Sequence, residues 1–346
     1  MAMTVKNGDD RRTLLEEEIQ KRIHFYESPP EDFDPLTAEP DVLAKHGIPP
    51  RPNAEDLPVQ ARFWTEMFSP PLVFTERKFL FLDDPILISA QLRVTASGRR
   101  ESSLNWSGAY ITPRNGRQFT EVHGRWEVPA VAVSTGTSGN PEFRSSIWIG
   151  LDGQRRYLDS SLPQVGTAQF LNAPNDPPFS VWWQWWLRNN PATFSPVTIA
   201  LPILAHQHIM ASLLVLDETH VHFLIENRTT GQIFPPFTMA SPTDTASQIQ
   251  AKVSGASAEW VVERPTNATT GDLYELPNYD AVHFTDCFAI SANMPPAQQP
   301  GPGLEQTLDG ARLIKMYKVE RNPSRTVTIS KTKRPDVDRL ETIYTG

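Results

Sequence analysis

Hydrophobic positions recur with two different periods along this chain, and the change falls close to residue 104. Early on, Leu15, Ile19 and Ile23 recur every four residues behind Thr13 and Glu16, which are spaced as a capping box, so a short polar helix is expected through Phe25. A second helix is expected from Asp56, with Pro58 tolerated in its first turn and Val59, Phe63 and Met67 on its apolar stripe. Between them, Pro29-Pro30, Pro35, Pro40 and Pro49-Pro50-Arg51-Pro52 predict a connector over 29–55 that holds no regular structure and lies extended over a surface.

From Asn105 onward, short segments rich in Trp, Val, Ile, Phe and Thr are separated by Pro, Gly and Asn turns, the pattern of an antiparallel β-sandwich. Strands are expected over 105–112, 119–128, 144–151, 179–187, 196–203, 207–216, 219–226, 257–263, 281–291, 311–320 and 325–331. No repeat period is evident. Asn293 to Gly303 reads as a loop, and the residues after 332 as a polar tail. The organisation expected is an N-terminal extension over 1–103, with short helices, a Pro-rich connector and the character of a candidate pro-segment, then a sandwich over 104–332 and a tail over 333–346.

Composition narrows the partners. The 346 residues carry a net charge of −8, with no Lys/Arg stripe to track a phosphate backbone, so nucleic acid is not an expected partner. No stretch of about 18 apolar residues exists and the polar start has no apolar run behind it, so neither a membrane span nor a secretory leader is expected. A cytoplasmic place is the default expectation, with export by another route left open. Cys287 is the only cysteine, which excludes an internal disulfide framework. A monomer is expected.

Most hydrolase signatures are missing: HExxH, GxSxG, a Walker loop and GxGxxG are all absent, so zincin, serine hydrolase and nucleotide readings lack their anchors. Cys287 stands in Val-His-Phe-Thr-Asp-Cys-Phe-Ala-Ile and reads as a structural thiol in a buried strand. His206/His208 and His220/His222 each place two imidazoles on one strand face, but no acid or thiol completes a set, so no metal or other cofactor is expected. Arg99-Arg100 reads as a solvated basic pair rather than a processing point. In Val181-Trp182-Trp183-Gln184-Trp185-Trp186 the tryptophans divide between two faces; Trp182, Gln184 and Trp186 share one, which suits a groove for a peptide or a sugar.

Three further segments sharpen the choice: Asn105-Trp106-Ser107-Gly108-Ala109; Trp148-Ile149-Gly150-Leu151-Asp152-Gly153 followed by Leu162-Pro163-Gln164-Val165-Gly166; and Ala258-Glu259-Trp260-Val261-Val262-Glu263. In this order and spacing they resemble the glutamic peptidase (eqolisin) family, whose members show NW-S/G-GA, W-V-G-I-D-G, I-L-Q-T-G, W-Y-E-W-Y and A-E-W-I-V-E. The resemblance spans most of 104–332. It implies a concanavalin A-like, jelly-roll type β-sandwich with a curved sheet lining a groove, and an acid endopeptidase acting on polypeptide substrates without a cofactor. On that resemblance Gln164 and Glu259 match the catalytic dyad, while Trp106, Trp148, Asp152, Trp182, Gln184 and Trp186 fall in or near the substrate groove. Glu263 falls outside the matching position, although it shares a strand face with Glu259.

The chain departs from the family pattern at three points. Gln184 stands where W-Y-E-W-Y has its acid, Pro163 stands before the dyad glutamine where the family shows leucine, and the acidic leader lacks a signal peptide. Two rival readings remain, an inactive peptide-binding member of the same fold and a carbohydrate-binding sandwich, although no E-x-D-x-E-type strand offers the carboxylate pair of a glycosidase. Residues 1–103 are expected to lie over the groove or its rim.

Overall fold

The computed structural model describes residues 16–17, 19–80, 86–89, 92, 95–97, 100–136, 139–153, 161–293, 303–321 and 324–346. Within them, the alternating segments after residue 104 pair into two antiparallel layers. The first layer runs, in lateral order, Val197–Ile199, Phe179–Trp186, Leu162–Leu171, Phe143–Leu151, Ala258–Glu263, Trp106–Ile111 and Arg312–Arg321. Ser324–Asp336 and Arg339–Tyr344 carry the pairing round into the second, made of Ala281–Ala292, Gln118–Glu127, His208–Asp217, His220–Asn227 and Phe237–Ala240.

Alternation decides what each layer buries. Ile149, Val165, Trp183, Trp185 and Trp260 from the first layer meet Val122, Trp126, Leu213, Phe223 and Ala289 from the second in one buried core. The other face of the first layer carries Trp106, Tyr110, Trp148, Trp182 and Trp186 in a separate buried cluster. The expected all-β antiparallel sandwich is what the chain forms.

Two expectations within the sandwich need correction. No strand was expected between 151 and 179, yet Leu162–Leu171, which carries Gln164, is a strand paired on both sides. Pro163 is tolerated because the ladder to Phe143–Leu151 begins only at Gln164, so a residue without an N–H stands where one side needs no donor. Gly166 is required by close packing, since a Cβ there would fall 2.2 Å from the Ile147 carbonyl oxygen. The second correction concerns the polar tail: Arg339–Tyr344 pairs with Ala281–Phe284, and its inward residues Leu340 and Thr342 are buried while charged residues face outward.

The extension is seated on the outer face of the second layer. Residues 16–17 and 19–22 are helical, but the helix stops short of Phe25 because Ile23–Phe25 pairs with Phe237–Met239 as a strand; Thr13 and Leu15 lie outside the described residues. The connector expected to be irregular carries a short helix, Pro40–Lys45, with proline in its first turn and Leu43 buried. The helix expected from Asp56 forms as Pro58–Met67 and buries Phe63, Trp64 and Met67. Together with Leu43, Ile48 and Phe68 these cover Met210, Leu224, Phe288 and Ile290 of the second layer. Most of the expected loop 293–303 and residue Arg99 of the basic pair lie outside the described residues.

Two buried titratable groups lie on the second layer under this cover. His222 Nε2 donates to the Gly47 carbonyl at 2.8 Å, and burial holds the imidazole down at about 4. Burial pushes Glu226 up to about 8, opposed by Arg228 at 3.2 Å. The signs are opposite. A His lowered from 6.5 stabilises the folded state fully above 6.5 and loses that contribution as pH falls through 4; a Glu raised from 4.5 contributes below 4.5 and loses its share as pH rises through 8. Thermal unfolding across pH 3–9 is expected to show His222→Gln flattening the acid side of the stability profile and Glu226→Gln flattening the alkaline side, each relative to the parent chain.

Candidate active site

The outer face of the first layer is organised in rows by strand register. Gln164 lies opposite Gln184 on one neighbour and opposite Gly150 on the other, while Gly150 lies opposite Glu259, Glu259 opposite Tyr110, and Tyr110 opposite Arg312. Residues directly opposite in an antiparallel pair point to the same face. Gln164 and Glu259 therefore flank Gly150, about 10 Å apart at Cα from two strand spacings. A Cβ on Gly150 would sit 3.0 Å from Trp148 and Leu162 and 3.2 Å from Gln164 Cβ, so glycine keeps the space between the two side chains open.

The next row along the strands reads Trp182, Gly166, Trp148, Val261, Gly108 and Ile314, and the one after it holds Ser146, Glu263 and Trp106. Trp106 and Trp148 meet edge to face at 5.0 Å, and Trp186 stacks on Phe194 at 6.1 Å. Trp183 and Trp185 turn instead into the sandwich core.

Gln164 and Glu259 are both fully buried. Gln164 Nε2 donates to Gln184 Oε1 at 2.7 Å, which orients the amide and leaves Gln164 Oε1 without a protein partner. Neither oxygen of Glu259 closes a hydrogen bond of good geometry with the protein. Burial raises the Glu259 carboxyl well above the ordinary range; the Asp152 carboxylate acts in the same direction and the Ser257 hydroxyl against it. Buried polar atoms are ordinarily satisfied by protein or by water. Gln164 and Glu259 thus stand on one face either side of a glycine gap with polar oxygens that no protein group satisfies in good geometry.

Asp152, expected in or near the groove, is fully buried immediately after the end of its strand, Phe143–Leu151. Its oxygens accept from the Ser254 and Ala256 N–H groups at 2.7 and 2.8 Å and from the Ser254 hydroxyl at 2.8 Å. Those bonds fix the 254–257 turn that leads into Ala258–Glu263, so Asp152 acts by setting the start of the strand that carries Glu259. Burial raises its carboxyl, with the same hydrogen bonds opposing.

Two further participants went unassigned in the sequence. Glu263 shares the face of Glu259, accepts from Trp148 Nε1 at 3.0 Å and from Asn105 Nδ2 at 3.2 Å, and is pushed up to about 8 by burial against those bonds. The second is Ile86–Ser89 of the extension. Ile86 and Ile88 are fully buried among the groove tryptophans, and Ile86–Leu87 pairs with Thr266–Asn267. The extension thus crosses the groove face as well as the back. The spacing of Ile86 and Ile88 was the available signal, too short to read alone.

The remaining candidates disperse. His206 pairs with Glu127, His220 with Asp217, and His222 with Gly47, while the His208 side chain is exposed. Among the described residues no three His, Cys, Asp or Glu side chains gather as a ligand set. Cys287 is buried with its thiol pushed well up by burial. No helix among the described residues is long and apolar enough to cross a membrane.

Solved structures that the chain resembles include a scytalido-glutamic peptidase with a transition-state analogue inhibitor, at 19% identity over 70% of this chain and 98% of that one with a TM-score of 0.49. Another is a member of the eqolisin family in complex with the tripeptide Ala-Ile-His, at 19% identity over 70% and 98% with a TM-score of 0.48. Aspergilloglutamic peptidase from Aspergillus niger matches at 17% identity over 59% and 99% with a TM-score of 0.41. No curated protein matches. The model of the Peptidase A4 family, that of the glutamic peptidases, matches residues 104–337, and the chain belongs to that family.

Proposed function

We propose that this chain is an acid endopeptidase that cleaves polypeptides with a water held between Gln164 and Glu259. The observation that carries the reading is that Gln164 Oε1 and the Glu259 oxygens, buried and without a protein hydrogen bond of good geometry, belong to residues on one sheet face on either side of Gly150. A water there donates its protons to acceptors on both sides. Ionised Glu259 takes one proton as the water attacks the scissile carbonyl and returns it to the departing amine. The Gln164 amide supplies a neutral donor to the developing oxyanion whatever the pH.

The raised carboxyl of Glu259 bears on the resting state. With the groove covered, the carboxyl keeps its proton and cannot act as a base. When solvent reaches the groove the burial cost falls, and the carboxyl returns toward the ordinary acid range in which it can ionise. On this reading residues 1–103 are a pro-segment whose Ile86–Ser89 strap must leave before a substrate can enter.

Two measurements test it. Cleavage of denatured protein between pH 2 and 7 is expected to fall by about 10²-fold or more in Gln164→Ala and in Glu259→Gln, each checked for native folding; equal activity in either variant removes that residue from the chemistry. Charging the strap with Ile86→Asp and Ile88→Asp in the full chain is expected to raise cleavage at least tenfold, because two carboxylates cannot stay among buried tryptophans. Absence of cleavage in the parent and the charged-strap chain alike turns the reading to a peptide-binding member of the fold.

A further inference from the structure

The strap is held in the groove chiefly through its main chain. Gln184 Nε2 donates to the Ile88 carbonyl at 3.3 Å, and Glu263 Oε1 accepts from the Ser89 N–H at 3.2 Å. These are the two polar groups of a single peptide unit, gripped from opposite sides. The flanking groups are met as well: the Ile88 N–H donates to the Phe194 carbonyl at 3.3 Å, and the Ser89 carbonyl accepts from Trp106 Nε1 at 3.2 Å. Four successive main-chain groups are satisfied by the sandwich without reference to any strap side chain. Ile86 and Ile88, two residues apart, place aliphatic side chains in the tryptophan cluster.

We propose that Gln184 and Glu263 form a clamp for one peptide group of an extended polypeptide, occupied by Ile88–Ser89 in the covered chain and by substrate once the strap has left. The proposal rests on the peptidase reading of the groove and gives it a positioning site. It also accounts for the departure at position 184. An ionised carboxylate has no proton to offer a carbonyl, whereas the Gln184 amide donates to Ile88 while its oxygen still accepts from Gln164 at 2.7 Å. Its second N–H donates to the Thr193 carbonyl at 2.6 Å, so the amide is fixed in orientation. Trp148 Nε1 and Asn105 Nδ2 fix the Glu263 carboxyl in the same way. Glu263 lies four residues along the strand from Glu259, about 13 Å away. The Gln184 arm, bonded to Gln164, holds the carbonyl beside the dyad glutamine while Glu263 holds the N–H farther from Glu259, and the clamp selects an extended backbone with aliphatic side chains at alternate positions.

The test uses the full chain opened by Ile86→Asp and Ile88→Asp, and as probe a synthetic peptide of residues 83–92, Asp-Asp-Pro-Ile-Leu-Ile-Ser-Ala-Gln-Leu. Its affinity is compared with that of the same peptide N-methylated at the serine nitrogen. Loss of the N–H is expected to weaken binding about tenfold on the parent clamp and to add little once Glu263→Leu has removed the acceptor. Gln184→Glu is expected to weaken the unmodified peptide about tenfold, and to raise KM for a cleaved substrate with little change in kcat. Equal binding of the two peptides to the parent clamp, no binding of either, or an undiminished methylation penalty in Glu263→Leu would overturn the proposal. Should Glu263→Leu not fold, the two peptides on the parent clamp and on Gln184→Glu decide it. A chain that cuts nothing at any pH sinks the peptidase reading, while the binding cycle still judges the clamp.

Discussion

Everything at the candidate site depends on one strand, Phe143–Leu151, being paired with both Leu162–Leu171 and Ala258–Glu263 in fixed register. Gln164 and Glu259 come from segments almost a hundred residues apart, and they meet only because each lies opposite Gly150. A slip of one residue in either ladder would turn Gln164 or Glu259 into the sandwich core and bring Val165 or Trp260 out in its place. The core enforces the register. Val165, Ile149 and Trp260 are buried on the inner face, and Trp260 Nε1 donates to the His123 carbonyl of the opposite layer at 2.8 Å. The placing of Gln164 and Glu259 on one outer face is thus a by-product of packing on the inner face.

The same alternation produces an outer face that cannot be left bare. Trp106, Trp148, Trp182, Trp186 and Tyr110 form an apolar surface that water would wet at a cost of roughly 25 cal/mol for each Å² exposed. A groove that takes polypeptides needs such a surface. The chain's own residues 86–89 occupy it, with their main-chain groups satisfied by the sandwich, and on the proposed reading a substrate takes their place. The back of the molecule solves the equivalent problem with Phe63, Trp64 and Met67 of the extension. One N-terminal segment thus covers both outer faces of the sandwich.

Much of this was legible in the sequence, and the limits have physical causes. Ala281–Ala292 was readable from the period-two alternation at its start, and Phe179–Trp186, buried on both faces, from its run of aromatic residues. Leu162–Leu171 was not, because Pro163 and Gly166 are turn residues by propensity and only the neighbouring ladder explains them. Arg339–Tyr344 was hidden by charge on its outward face, since its pairing with Ala281–Phe284 is a long-range fact. The family resemblance pointed to Gln164 and Glu259; as isolated residues neither carries a signal. What Asp152 holds was not legible, because its bonds run to the backbone of a turn a hundred residues away. Glu263 and the strap explain each other, and neither has a reading without the other.

The buried carboxyls also decide how opening and pH are coupled on the proposed reading. Glu259 and Glu263 are both raised by burial, so the closed groove binds protons that an open one would release. By linkage, falling pH favours the closed groove through these two residues, and rising pH favours opening. His222 on the back face works the other way, since burial disfavours its charged form, with the hydrogen bond to the Gly47 carbonyl only partly opposing. Acidification therefore loosens the extension at its docking face while tightening it at the groove. Release at the pH where Glu259 becomes useful has to come from the back face or from a cut in the chain, because the dyad's own titration holds the strap down.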